Sequence, residues 1–217
     1  MKLTTFLLLF SFVIIGLTCT KESVTNNSND TGVSGSLSQF TISGNYLYVV
    51  NNYYLTTFDI SDPGNVQKKD MQYVGINVET IYPYKDKLFI GSSDGLYIYS
   101  ISDPISPIRI GTASHARSCD PVVSNDSIAF VTLRGNTRCG PAKDGLYIHN
   151  INNILHPTLI NTLFIATPSG LGLQDSMLYV CCQGNGLRVY NVKNPTSPIE
   201  RNICYYSSNN QLKNSNR

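Results

Sequence analysis

The sequence contains no tryptophan, only three histidines and three methionines, and charged side chains make up just 14% of its 217 residues. His115, His149 and His156 stand at no metal-ligand spacing, which leaves little material for a zinc centre or a histidine base. A phosphate-cradling glycine loop, an HExxH helix and an acidic metal loop are all missing. Basic and acidic residues nearly balance, 16 against 14, and the formal net charge of +2 drops to +1 without Lys2. So weak a field gives no sign of nucleic acid as a partner, and none is expected. We expect no cofactor and no metal. Amphipathic helical periodicity is absent throughout, and a long apolar run occurs once, at the start.

That run, Phe6 to Leu17, follows the basic residue Lys2 and stops at Cys19, after which polarity begins at once with Thr20, Lys21 and Glu22. It is shorter than the roughly 20 residues a membrane-spanning helix needs, and it reads as the hydrophobic part of an export signal. Its end resembles a bacterial lipobox, with Gly16 and Thr18 departing from the usual residues there. The resemblance implies that Cys19 is lipidated, against the alternative of an ordinary secretory signal in which Cys19 is incidental. Residues 20–36 carry few large apolar side chains and cannot bury enough surface to offset ordering entropy, so a flexible tether is expected.

From there a repeat sets in. Tyr46 to Val50, Lys87 to Gly91, Ser127 to Val131 and Met177 to Cys181 align as short β-branched and aromatic strands. Each is followed by a second: Tyr54 to Thr57, Gly95 to Ile98, Gly145 to Ile148 and Gly186 to Val189, spaced by 41, 50 and 41 residues. Asp94-Gly95, Asp144-Gly145 and Asn185-Gly186 are dipeptides suited to the positive φ of a tight hairpin. The second strand then runs into turns at Pro63, Pro104, Pro157 and Pro195, where a ladder must end. With one apolar stretch before and one after, each copy has four strands. Four strands per copy without helices give an all-β fold, a β-propeller of four visible four-stranded blades. A β-sandwich would not explain the repetition of one string.

The string Leu96 to Pro104 and its copies resemble the LVIVD repeat of bacterial β-propeller lipoproteins, as do Ser118 to Val122, Thr132 to Gly135 with Cys139, and Ser169 to Leu173. The resemblance covers about residues 40–200 and implies fold rather than chemistry. The expected organisation is a signal peptide at 1–18 and the lipidated cysteine with its tether at 19–36. Blades follow at 37–75, 76–116, 117–168 and 169–206, then a disordered tail at 207–217. The tail holds a single large apolar residue, Leu212, too little for a fifth blade. Four blades either close a small ring or form an incomplete one with missing neighbours; the second is expected here.

Blade three carries an insertion of about ten residues, Leu133 to Lys143, between its second and third strands. In a propeller this loop emerges on the same face as the segment entering the innermost strand. Cys139 in the loop and Cys119 at that strand's start are therefore expected to form a disulfide. Arg117, Asp120, Arg134, Arg138 and Lys143 would share that face, near the mouth of the central channel. Guanidinium groups around a concave opening suit carboxylate or phosphate groups, so Arg117, Asp120, Arg134 and Arg138 are the candidate binding residues. No catalytic residue is assigned. Of the vicinal Cys181 and Cys182, at least one should be buried, because neighbours on a strand point to opposite faces.

The functional expectation is a non-enzymatic binding or scaffolding propeller, exported and lipid-anchored on a bacterial outer membrane or cell surface, with a protein or a glycan as its unknown ligand. The alternative is a propeller hydrolase of lactonase or glycosidase type with its active site at the channel mouth. That would need carboxylates converging from several blades, and Glu79, Asp120 and Asp175 are the ones on innermost strands.

Overall fold

Each copy of the repeat folds into its own antiparallel sheet. A short strand, β1 (Val33–Gly35), comes first. Blade one is β2 (Phe40–Ser43), β3 (Tyr46–Val50), β4 (Tyr54–Asp59) and β5 (Gln67–Tyr73). Blade two is β6 (Val78–Tyr84), β7 (Lys87–Ser92), β8 (Gly95–Ser100) and β9 (Ile108–Ser114). Blade three is β10 (Val122–Ser124), β11 (Ile128–Leu133), β12 (Gly145–Asn150) and β13 (Thr158–Leu163). Blade four is β14 (Pro168–Gln174), β15 (Met177–Cys182), β16 (Gly186–Asn191) and β17 (Ile199–Tyr206), extended by β18 (Leu212–Ser215). In every blade the strands pair in chain order. This computed structural model describes residues 33–35, 38–114, 121–135, 143–206 and 212–215, all within one compact unit.

The recurrent string has a concrete job at the far end of each blade. Asp59, Ser100, Asn150 and Asn191 close the third strand, and each accepts the amide two residues on: Ser61, Ser102, Asn152 and Lys193. Three residues further, Asp62, Asp103, Asn153 and Asn194 repeat the same capture on Gly64, Ile105, Leu155 and Thr196. Short polar side chains at both positions thus build two successive side-chain-capped turns. Between them, Ile60, Ile101, Ile151 and Val192 donate their amides to Asn45, Asp86, Ser127 and Ser176, tying this turn to the hairpin beside it. A bulge follows in all four blades, at Thr57/Phe58, Ile98/Tyr99, Ile148/His149 and Val189/Tyr190. It adds twist between third and fourth strands, as a radial array of blades requires.

The glycines call for a correction. Gly186 has the positive φ expected of a hairpin, 80°, but Gly95 and Gly145 do not. Their glycine is required by crowding: a Cβ would lie 2.8 Å from the Ala113 carbonyl oxygen and 2.6 Å from that of Leu163, respectively. The turns from first to second strand instead use Gly44, Lys85 and Asp175 at φ 57°, 52° and 52°.

Blades pack face to face. Tyr48, Val50 and Leu55 of blade one meet Ile81, Leu88, Ile90 and Tyr99 of blade two in one core cluster. Phe89, Leu96 and Ile98 on blade two's other side join blades three and four in a second. Tyr48 Oη also donates to the Pro104 carbonyl at 2.9 Å. Arg109 lies over the Tyr97 ring at 4.6 Å and donates to the Val74 carbonyl at 2.5 Å, fixing the link between the first two blades. The innermost strands β6, β10 and β14 converge. Among the described residues, blade one packs on blade two and blade four on blade three, with no substantial packing between the two end blades. The propeller is therefore an open arc of four blades.

Two expectations at the ends are corrected. Val33–Gly35, placed in a flexible tether, pairs with Leu171 to Leu173. Leu212–Ser215, placed in a disordered tail, pairs with Ile203 to Tyr206. The edges of blade four offer unpaired backbone donors and acceptors, and a neighbouring segment satisfies them whatever its side chains are.

Candidate binding face

The mouth of the arc is formed where the innermost strands begin and the hairpins between second and third strands end. Asp144 organises it. Its carboxylate accepts the Gly135 amide at 2.7 Å on one oxygen and the Thr167 amide at 2.8 Å on the other. The first bond closes the base of the blade-three insertion, and the second ties it to the segment leading into blade four. Thr167 in turn donates its hydroxyl to the Gln183 carbonyl at 2.7 Å and accepts from Asn185 Nδ2 at 3.0 Å. Its φ of 49° is unusual for a β-branched residue, and these three bonds of Thr167 hold it there.

Arg134 follows β11 and reaches across the same opening. Its Nη1 donates to Gln183 Oε1 of blade four at 2.5 Å. It also lies within electrostatic range of Glu79 on β6 of blade two. Burial pushes the Glu79 carboxyl above the ordinary glutamate range, and the Arg134 charge opposes that rise. One guanidinium thus relates three blades around the mouth.

Of the candidate binding residues, the structure places Arg134 at this centre, while Arg117, Asp120 and Arg138 lie outside the described residues, as do His115 and Cys19, Cys119 and Cys139. Lys143 is exposed at the foot of the insertion, beside Asp144. Glu79 and Asp175 do not converge. Glu79 stands near the start of its innermost strand, at the mouth, whereas Asp175 sits in the turn after β14, at the opposite end. His149 is buried in β12, and His156 lies in the outer turn of blade three. Cys182 is buried and its thiol is pushed up to about 11 by that burial, whereas Cys181 is exposed; neither is in a disulfide.

Asp144, Thr167 and Gln183 escaped the sequence reading. Asp144 was legible only as the first half of an Asp-Gly hairpin, and its acceptor role depends on an amide 23 residues away.

The LVIVD repeat family matches residues 34–69 and 173–205. No curated protein matches the chain. Among solved structures, the N-terminal domain of Nup159 is similar over 81% of this chain, at a TM-score of 0.52 and 10% identity. The chain spans about half of that domain, 46%. Kluyveromyces lactis Hsv2 gives a looser likeness, with a TM-score of 0.29 and 12% identity over 85% of this chain and 71% of that one. The first of these likenesses agrees with the blade architecture, and the repeat match falls on the strands and capped turns of the first and last blades: the chain carries LVIVD repeats in a β-propeller fold.

Proposed function

We propose that this chain is a non-enzymatic binding or scaffolding propeller, displayed on a bacterial outer membrane or cell surface through a lipid on Cys19, and that its mouth face takes an acidic group of a protein or a glycan. The observation that carries this reading is the mesh around Asp144. It fixes loops of blades three and four before any ligand arrives and holds the Arg134 guanidinium in the opening, an arrangement that lowers the ordering cost of binding. Arg117, Arg138 and Asp120 are proposed to complete the face.

A Cys119–Cys139 disulfide would pin the long insertion to the segment that enters β10. Support comes from the described residues on either side, since the Thr132 amide donates to the Pro121 carbonyl at 3.1 Å and so brings the two segments together. The hydrolase reading has one observation in its favour, the raised Glu79 carboxyl. A second carboxylate beside it is what such chemistry needs, and Asp175 is at the other end of the blades.

The test compares wild-type and Arg134→Glu chains on a glycan array and in pull-downs from native envelopes. Specific capture lost with Arg134→Glu is expected. Turnover of lactone or glycoside substrates that disappears with Glu79→Gln would overturn the reading. For the anchor, a labelled fatty acid should mark the wild type and spare Cys19→Ala; an unlabelled, soluble wild type would remove the lipid from the proposal.

A further inference from the structure

The open arc exposes two sheet faces, and they are the two halves of an interface the chain already builds three times. On blade one the outward face carries Phe40, Ile42, Leu47, Val49 and Phe58, related by register across β2, β3 and β4. Phe40 is 59% exposed and Ile42 57%. Their counterparts in blade two include Ile81, Leu88, Ile90 and Tyr99, all but fully buried against blade one. On blade four the outward face carries Tyr179, Cys181, Leu187 and Val189, related by register across β15 and β16. Their counterparts are Tyr48, Val50, Leu55 and Thr57 in blade one, buried against blade two. The repeat thus makes blade four's outward face a receiving half and blade one's outward face an inserting half.

Size complementarity singles out this joint. The inner strand of blade four presents Gly170 and Gly172 on its outward face, paired with Cys181 and Tyr179. A Cβ at either glycine would sit at ordinary contact distance, 3.6 Å from the Cys181 Cβ or 3.9 Å from the Tyr179 Cβ. Neither has a positive φ, so nothing among the described residues demands glycine there. Blade one in turn carries Phe40 where blade two carries the smaller Ile81, each opposite the second-strand residues Val49 and Ile90. A bare receiving strand faces an oversized inserting one.

The geometry points to a second copy of this chain as the occupant of both faces, blade four of each copy packing on blade one of the other. Head-to-tail contacts either close or grow into filaments. Two arcs of four blades make a ring of eight, within the range of four to eight blades that propellers use, so a two-fold closed dimer is the expected product. Closure also covers exposed apolar patches that would otherwise be an association hazard.

Native mass spectrometry and light scattering on the purified full chain test this, with the same N-terminus and the same detergent in every sample. The wild type should be a dimer. Phe40→Asp and Cys181→Asp change exposed residues on opposite ends of the arc, and each alone should give folded monomers. Their equimolar mixture should recover a dimer, because one joint between the two chains remains intact, an outcome that a symmetric face-to-face contact cannot produce. Gly172→Leu, whose Cβ meets only the Tyr179 Cβ at 3.9 Å among the described residues, should weaken the dimer by about tenfold or more; placed in the monomeric Phe40→Asp chain, it should leave the melting temperature unchanged. A monomeric wild type, a dimer that survives both acidic substitutions, or a mixture that stays monomeric would each overturn the proposal.

Discussion

Asp144 and Thr167 are joined by a single bond, amide nitrogen to carboxylate oxygen at 2.8 Å, and the way into blade four hangs on it. Asp144→Ala removes two acceptors at once and leaves the Gly135 and Thr167 amides to find others. We expect a loss of about 1–3 kcal/mol in urea denaturation, with Asp144→Asn recovering part of it. Amide exchange at Thr167 and Gly135 should accelerate before that of the sheet interiors. Unchanged exchange at both amides would show that the carboxylate does not hold the loop.

Gly111 on β9 marks a closer approach than any hairpin glycine. A Cβ there would fall 1.9 Å from the Ile154 carbonyl oxygen, in the outer turn of blade three. Gly111→Ala therefore has to separate two blades. A cost of about 1–3 kcal/mol is expected in thermal or chemical denaturation, as for overpacking in a core. A variant as stable as the wild type would mean that the blade contact yields freely.

The blades and their four strands were legible because the same apolar and turn residues recur at fixed offsets. Recurrence cannot tell why a residue recurs. Gly95 and Gly145 looked like φ-permissive turn residues, while the demand on them comes from Ala113 and Leu163, outer-strand carbonyls that no local pattern reveals. Lys85 takes a left-handed turn position with nothing in its own chemistry announcing it, whereas Asp175 at the matching position is a residue type that tolerates it. At the mouth, Arg134 was read from the insertion it belongs to. The mesh of Asp144, Thr167 and Gln183 was not, since its members come from different blades and none is a rare residue. Strands 33–35 and 212–215 were missed because pairing to a free edge is a backbone demand, and the side chains there carry no strand signal.

The two adjacent cysteines should differ sharply toward alkylation. Cys181 is exposed, whereas the buried Cys182 thiol, raised to about 11, stays protonated at neutral pH. Iodoacetamide on the folded Phe40→Asp chain, whose blade-four face is uncovered, should label Cys181 within minutes and Cys182 only after denaturation, as read by peptide mass mapping. Equal labelling in the native state would contradict the packing of β15 against blade three.

Glu79 gives stability a pH dependence of determined sign. Burial raises its carboxyl, so the folded chain holds that proton more tightly than the unfolded chain does. This contribution is fully present below the ordinary glutamate range and is lost as pH rises through the raised value. Glu79→Gln should remove that portion of the decline, leaving the variant less sensitive to pH than the wild type over that window. Identical pH profiles by chemical denaturation would show that the carboxyl is solvated.

The pairing of Val33 with Leu173 brings together residues from the two ends of the described chain, ahead of the first blade and within the last. Apart from the contact of β1 with β10, the inner-strand contacts join blades that are neighbours in sequence and can form as the blades accumulate one after another. This one must wait until blade four exists, because its loop closes over three complete blades. It belongs to the end of folding and contributes to the barrier against opening rather than to the rate of assembly. Deleting residues 33–35 should therefore leave the refolding limb of a chevron in place and raise the unfolding limb, making the first strand a latch on a structure already built.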